Sequence, residues 1–342
     1  MSQTTLHILD RAAGQESSAT ARPLLTIVTP AYNEARNLPV LHGRLQRILT
    51  QLAVDVEWVV VDDHSADETP AVLAGMVEQD RRVRGIRLAR NSGSHTAITC
   101  GLHHARGDCA IVLAADLQDP PEEIPRLFTE WQRGAQVVWA TRARRAGERP
   151  LQLGFAKLYY ALMRRTDALK DLPATGADFF LLDRRVIDAF HQFKETHVSL
   201  FALLTWLGFR QTTIAYDKQP RLHGRSGWTL KKKLKLVVDS ITAFTYFPIR
   251  LMSYAGLVIA CGGFGYATFV IINALRGQPP QGWTSLMVVV VIVGGIQMIM
   301  LGVLGEYLWR TLDESRGRPQ YLIESAVEPP ATQPPITGGQ GV

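Results

Sequence analysis

Charge is missing from two stretches where a soluble chain would carry it. Leu251 to Leu275 and Gly277 to Gly305 contain no Asp, Glu, Lys or Arg. A helix rises about 1.5 Å per residue and a bilayer's hydrocarbon core is about 30 Å thick, so each run is long enough to cross it. The sequence therefore predicts membrane spans over 251–275 and 284–309, which excludes an ordinary soluble globule. Cysteine is scarce too, with 3 in 342 residues. Cys100, Cys109 and Cys261 have no metal-ligand spacing and the last lies inside a span. That excludes a disulfide scaffold or a zinc module and fits a reducing compartment. No G-x-G-x-x-G follows the first strand pattern and no G-x-x-x-x-G-K-[ST] occurs, so the dinucleotide and P-loop fingerprints are absent. No nucleic-acid motif is present either.

What is there begins with positive charge. The net charge of +6 gathers near the spans, where anionic lipid explains it better than nucleic acid. Lys231, Lys232, Lys233, Lys235 and Arg250 precede the first span, and Arg310, Arg316 and Arg318 follow the second. The connector offers only Arg276. Positive residues stay on the cytoplasmic side, so both ends and the large N-terminal region are expected in the cytoplasm of a multi-pass inner-membrane protein. Residues 1–22 have no apolar run of signal-peptide length and read as a disordered tail.

From Pro23 to about Ala140, β-rich runs alternate with helical patterns. "LLTIVTP" precedes a helical stretch from Glu34 to Leu52, "VEWVVVD" precedes "DETPAVLAGMVEQ", and "VRGIRLA" precedes "SHTAITCGLHHA". "CAIVLAA" leads to "PEEIPRLFTEWQRG", and "AQVVWATR" closes the series. This alternation predicts repeated β-α-β units and a mostly parallel sheet.

Ligands of open α/β sheets bind beyond the carboxyl ends of the strands. That rule selects Pro30, Tyr32, Asn33 and Glu34 after the first strand, and Asp62, Asp63 and Ser65 after the second. Asn91 and Gly93 follow the third, Asp116, Gln118 and Asp119 the fourth, and Arg142 the fifth. Two of the acids have plain structural roles: Asp67 and Asp119 are each placed to cap the helix that follows. Asp62, Asp63, Asp116 and Gln118 have none.

These residues bring a family into view. "IVTPAYNEARNL", "VVVDDHSADET" and "ADLQDPPEEIP" resemble the nucleotide-sugar binding elements of inverting family 2 glycosyltransferases with the GT-A fold. "GADFFLLDRRVID", "WLGFRQ", the "RLHGRSGWTLKKKLKLVVDSITAFTYFPIRLMSYAGL" segment and "LGEYLWRTLDESRGRPQYLI" narrow the likeness. It is to the polyprenyl-phosphate, dolichol-phosphate-mannose-synthase-like branch with two C-terminal spans, over residues 23 to 323. The resemblance implies a Rossmann-like GT-A domain over 23–228, an amphipathic juxtamembrane segment over 229–250, the two spans, and a cytoplasmic tail over 310–342. In that segment Leu230, Leu234, Val237, Val238, Ile241 and Phe244 recur at helical spacing, as in a helix lying on the bilayer.

The resemblance also implies Mg²⁺ or Mn²⁺, a UDP- or GDP-sugar donor and a polyprenyl (undecaprenyl) phosphate acceptor in the bilayer. A homo-oligomer is compatible with it. Asp116 and Gln118 match the metal motif, usually Asp-x-Asp-x-Gln, with Ala114 in place of its first acid. Pro30, Tyr32, Glu34, Asp62, Asp63, Ser65, Asn91 and Gly93 fall to the donor. Arg142, Arg221 and Arg225 fall to the acceptor phosphate, and Asp178 to the donor sugar. Further departures are Ser94, Phe180 and the Ser226–Gly227 pair, each where relatives often carry a basic residue. The expected reaction is inverting sugar transfer. The alternatives are a different lipid or glycan acceptor, or a catalytically silent nucleotide-sugar-binding scaffold, which Ala114 motivates.

Overall fold

A computed structural model describes residues 22–143, 178–193, 195, 199–220, 247–276 and 282–329. Eight strands, of which β6 is Phe179–Asp183, β7 Gln211–Tyr216 and β8 Ile323–Val327, form one sheet in the order β7-β5-β6-β4-β1-β2-β3-β8. The expected strands are β1 (Leu24–Ala31), β2 (Asp55–Asp62), β3 (Val83–Leu88), β4 (Cys109–Val112) and β5 (Val137–Arg142). Parallel ladders join β1 to β2, β1 to β4, β2 to β3 and β5 to β7.

Side chains alternate across this sheet, and each face is covered. Leu25 and Ile27 of β1 and Trp58 and Val60 of β2 face one layer. That layer contains α1 (Asn37–Leu49), α2 (Thr69–Gln79) and α4 (Ile124–Gln132). The stripe Leu38, Leu41, Leu45 and Leu49 seats α1 there, at the three- and four-residue spacing of a helix face. Val28 faces the other layer, among α3 (Ser94–His104), α5 (Arg184–Phe190) and α6 (Leu200–Trp206). Gly101 lets α3 approach β1 closely, because a Cβ there would collide with Val28. Strands buried on both faces read as continuous apolar runs; "WVVV" and "CAIV" are such runs.

Three strands lie beyond the expected series. β6 (Phe179–Asp183) runs antiparallel between β4 and β5, and β7 (Gln211–Tyr216) flanks β5. β8 (Ile323–Val327) pairs antiparallel with β3. It lies in the segment expected to be a tail, so that expectation is corrected: part of 310–342 completes the sheet. The reason is that β3 would otherwise be an open edge with unpaired backbone groups. Phe180, where a basic residue was looked for, is fully buried on β6 and packs against Trp139 and Phe201.

Two long helices follow. α7 (Phe247–Leu275) and α8 (Trp283–Ser315) extend beyond the expected span limits. Their most apolar windows, Met252–Asn273 and Ile292–Ser315, are not buried by protein and are long enough to cross a membrane. Membrane association follows from this, since exposed apolar helices of that length have no stable place in water. Glu306 is paired with Arg310 one turn on, at 2.9 Å. The amphipathic segment over 229–246 lies outside the described residues.

Candidate active site

The backbone itself marks the carboxyl end of the sheet. Asn33, His64 and Leu117 are the non-glycine residues with positive φ among those described, at 57°, 59° and 61°. They follow β1, β2 and β4 respectively. Left-handed backbone at a branched residue such as Leu117 is costly, and such strain gathers at functional sites. Reciprocal hydrogen bonds hold the first two turns: Asn33 N–H donates to Ser65 Oγ and Ala66 N–H to Asn33 Oδ1, both at 2.9 Å. Glu34 N–H donates to Thr69 Oγ1 at 2.9 Å, and Asn37 Nδ2 donates to the Glu34 carboxylate.

Asp62 and Asp63 are both buried, and their carboxylates are engaged by the chain itself. Asp62 is fully buried; it accepts Ser65 N–H at 2.9 Å and is ion-paired with Arg87 Nη1. Asp63 accepts Ser92 N–H at 2.7 Å and Gly93 N–H at 2.8 Å, which ties the second rim turn to the third. Burial pushes the Asp63 carboxyl above its ordinary range, against those two bonds. Gly93 has φ of 93°, a conformation glycine adopts without strain. Pro30 is the penultimate residue of β1, half-buried, while Tyr32 and Asn91 stand exposed at the same rim. Asp67 accepts Thr69 N–H at 3.0 Å at the start of α2, as expected of a capping acid.

Beyond β4, Asp116 is nearly buried and its Oδ1 accepts Gln118 N–H at 3.1 Å. Asp119 was expected to cap the next helix and does not. Its Oδ1 accepts the Tyr216 hydroxyl and lies 3.4 Å from Lys218 Nζ. Its Oδ2 is buried without a hydrogen-bond partner among the described residues. Burial pushes this carboxyl up, Lys218 and Tyr216 oppose the shift, and Asp178 and Asp116 reinforce it. The Gln118 carbonyl accepts Gln219 N–H at 2.8 Å. The acidic turn is thus fastened to the chain just beyond β7.

Because β6 is antiparallel, its first end reaches this rim, and Asp178 meets Arg142 there at 3.6 Å. Sequence reasoning placed both residues but not their pairing. It also missed Arg87, Tyr216 and Lys218, since nothing local distinguishes them from ordinary strand and loop residues. Arg221 and Arg225 lie outside the described residues.

Among the described residues no three His, Cys, Asp or Glu side chains are grouped to hold an ion. The donor set nevertheless fits Mg²⁺ or Mn²⁺ carried by a diphosphate. Such an ion needs only one or two protein oxygens, with phosphate and water supplying the rest. Among the described residues, Asp119 Oδ2 is buried without a hydrogen-bond partner and Asp116 is close enough to raise its pKa, so carboxylate oxygens of the kind such an ion takes are present in this turn.

Residues 26–189 match the profile of glycosyl transferase family 2. With relatives at more than 30% identity along nearly their whole length, the chain belongs to that family and is a glycosyltransferase. One relative, the uncharacterized glycosyltransferase sll0501 of Synechocystis, is 38% identical, covering 87% of this chain and 94% of that protein. YkcC of Bacillus subtilis, an uncharacterized glycosyltransferase, is 36% identical over 88% and 93%. The bactoprenol glucosyl transferase of Shigella phage SfV is 34% identical over 88% and 98%.

Proposed function

We propose that this protein transfers a sugar from a UDP- or GDP-sugar to polyprenyl phosphate at the cytoplasmic face of the inner membrane, with inversion and with a divalent metal. The observation that carries the reading is the likeness to a bactoprenol glucosyl transferase along 98% of that protein's length. That span includes both the acidic rim and the two apolar helices. Positive charge before the first helix and after the second supports a catalytic domain on the cytoplasmic side.

The turns after β1 and β3 present Tyr32 and Asn91 to the nucleoside, beside the backbone groups of the strained turn after β2. Asp62, Asp63 and Ser65 hold those turns in shape, with Pro30, Glu34 and Gly93 completing the frame. Asp116 and Gln118 would hold the ion, which when bound neutralises the charge developing on the departing diphosphate. A phosphate monoester has a second pKa of about 6, so the acceptor is already ionised and needs no strong base. One of its oxygens attacks the anomeric carbon from the face opposite the diphosphate. The new C–O bond forms as the bond to the diphosphate breaks, and the nucleoside diphosphate leaves with that electron pair. Positioning of the two phosphates then governs the rate. Arg142, with Arg221 and Arg225, suits the acceptor phosphate, since a guanidinium grips phosphate through two donors. Asp178 meets Arg142 at 3.6 Å and falls to the donor sugar in this reading.

Purified protein in detergent, given undecaprenyl phosphate and a panel of UDP- and GDP-sugars, tests this. Transfer from one donor that EDTA abolishes is the expected result. Nucleotide binding without transfer from any donor would favour the scaffold reading.

A further inference from the structure

Arg87 sits where two distant parts of the chain meet. One Nη is paired with the buried Asp62 carboxylate and the other donates to the Ser65 carbonyl at 3.2 Å. Its Nε donates to Glu324 Oε2 at 2.8 Å. Glu324 also lies 3.5 Å from His64 Nδ1, and His64 holds the left-handed position of the same turn. Turn 62–65 is therefore gripped by a guanidinium that is itself gripped by β8. That strand begins seven residues after α8 ends at Ser315, the intervening chain being 316–322.

We propose that Glu324 is a positioning residue for the donor turn: through Arg87 it holds Asp62 and the backbone of 62–65 in the shape that receives the nucleotide. The segment returning from the second apolar helix is then part of the donor site. This rests on the functional reading above for the ligand, though not for the coupling itself. Freed of Glu324, Arg87 keeps its charge but loses the partner that fixes its approach to Asp62. The strained turn then samples other shapes, and nucleotide must select among them.

The same strand supplies its own control. Antiparallel pairing places Glu328 at the opposite end of β3, where it meets Arg84 at 2.9 Å and Arg106 at 3.4 Å. Glu324→Ala, Glu324→Gln and Glu328→Gln would be made in the full chain in detergent. UDP and GDP binding, donor KM and kcat, and amide exchange across 62–66 would be measured on each. Glu324→Ala should weaken nucleotide binding and raise donor KM about fivefold to tenfold, with kcat changed less than about twofold. Exchange at 62–66 should quicken, Glu324→Gln should fall between, and Glu328→Gln should match wild type.

Equal effects of the Glu324 and Glu328 changes, or a lower melting temperature with exchange and affinity unchanged, would overturn the proposal. A wild-type protein that binds neither nucleotide defeats the functional reading. Quickened exchange in Glu324→Ala alone would still establish the coupling, and unchanged exchange would refute it.

Discussion

Glu57 and Asp119 are buried carboxylates at opposite ends of the sheet, and their oxygens are partnered differently. At the amino end, Glu57 has both oxygens engaged: Oε1 accepts the Thr26 hydroxyl at 2.6 Å and the Arg106 N–H, and Oε2 meets Arg84 Nη1 at 3.3 Å. Thr26 Oγ1 in turn accepts Gly107 N–H at 2.9 Å. Arg84 Nε has no partner among the described residues, but its charge is met by two carboxylates. At the carboxyl end, Asp119 Oδ2 has no partner among the described residues and lies near other acids, on a rim where Asn33, His64 and Leu117 are left-handed. A satisfied network at low dielectric rigidifies a fold, whereas one that is partly satisfied and strained is retained where a ligand completes it. Under the function proposed above, the Glu57 cluster serves the fold and the Asp119 turn serves the ligand.

Substituting across the two ends gives the largest contrast. Asp116→Ala should lower kcat/KM for sugar transfer by roughly a thousandfold, as expected for removal of a charge-stabilising group. Its melting temperature should hardly move. Glu57→Ala should do the reverse, costing about 3 kcal/mol by leaving buried Arg84 underpaired. Transfer per folded molecule should be retained. Denaturant titration alongside kinetics checks both, and comparable loss of activity in the two would erase the contrast.

A smaller effect is expected where the acidic turn is fastened to β7. Tyr216→Phe removes the hydroxyl that Asp119 accepts. It should cost about 1 kcal/mol of stability and raise the KM for polyprenyl phosphate more than that for the donor. A change confined to donor KM would assign the Asp119 contact to the wrong substrate.

The smallest effect lies away from both ends. The bond from Arg82, helped by His42 and opposed by burial, holds the Asp80 carboxyl well below its ordinary 3.8. A carboxylate depressed on folding stabilises at pH above its unfolded value, and the contribution is lost as pH falls through the folded one. Asp80→Asn should thus cost about 1 kcal/mol at neutral pH. Below about pH 4 its melting temperature should fall less steeply than wild type's. Parallel acid limbs would show that the Arg82 pair contributes nothing measurable.

Much of this was legible in the sequence because the signals are local. Period-two and period-3.6 patterns gave β1 to β5 and the helices between them, and the charge-free runs gave α7 and α8. The carboxyl-end rule gathered Asp62, Asp63, Asp116 and Arg142 onto one rim before any coordinates. It did not say which way their side chains turn. Asp62 and Asp63 face inward because backbone N–H groups of the turns beyond β2 and β3 need acceptors there. Asp119, assigned as a cap from its neighbours Pro120 and Pro121, instead answers a hydroxyl 97 residues away.

By itself, then, the sequence determined the order of the strands and helices of the first 142 residues, the two apolar helices and the acidic rim. Each depends on residues within a few turns of one another. Only the tertiary structure decided that β6 and β8 run against the others, that Asp178 meets Arg142, and that Arg87, paired with Asp62, meets Glu324 across 237 residues of chain. Such pairings depend on sheet edges that must be closed and buried charges that must be met. Neither demand exists until the chain has folded.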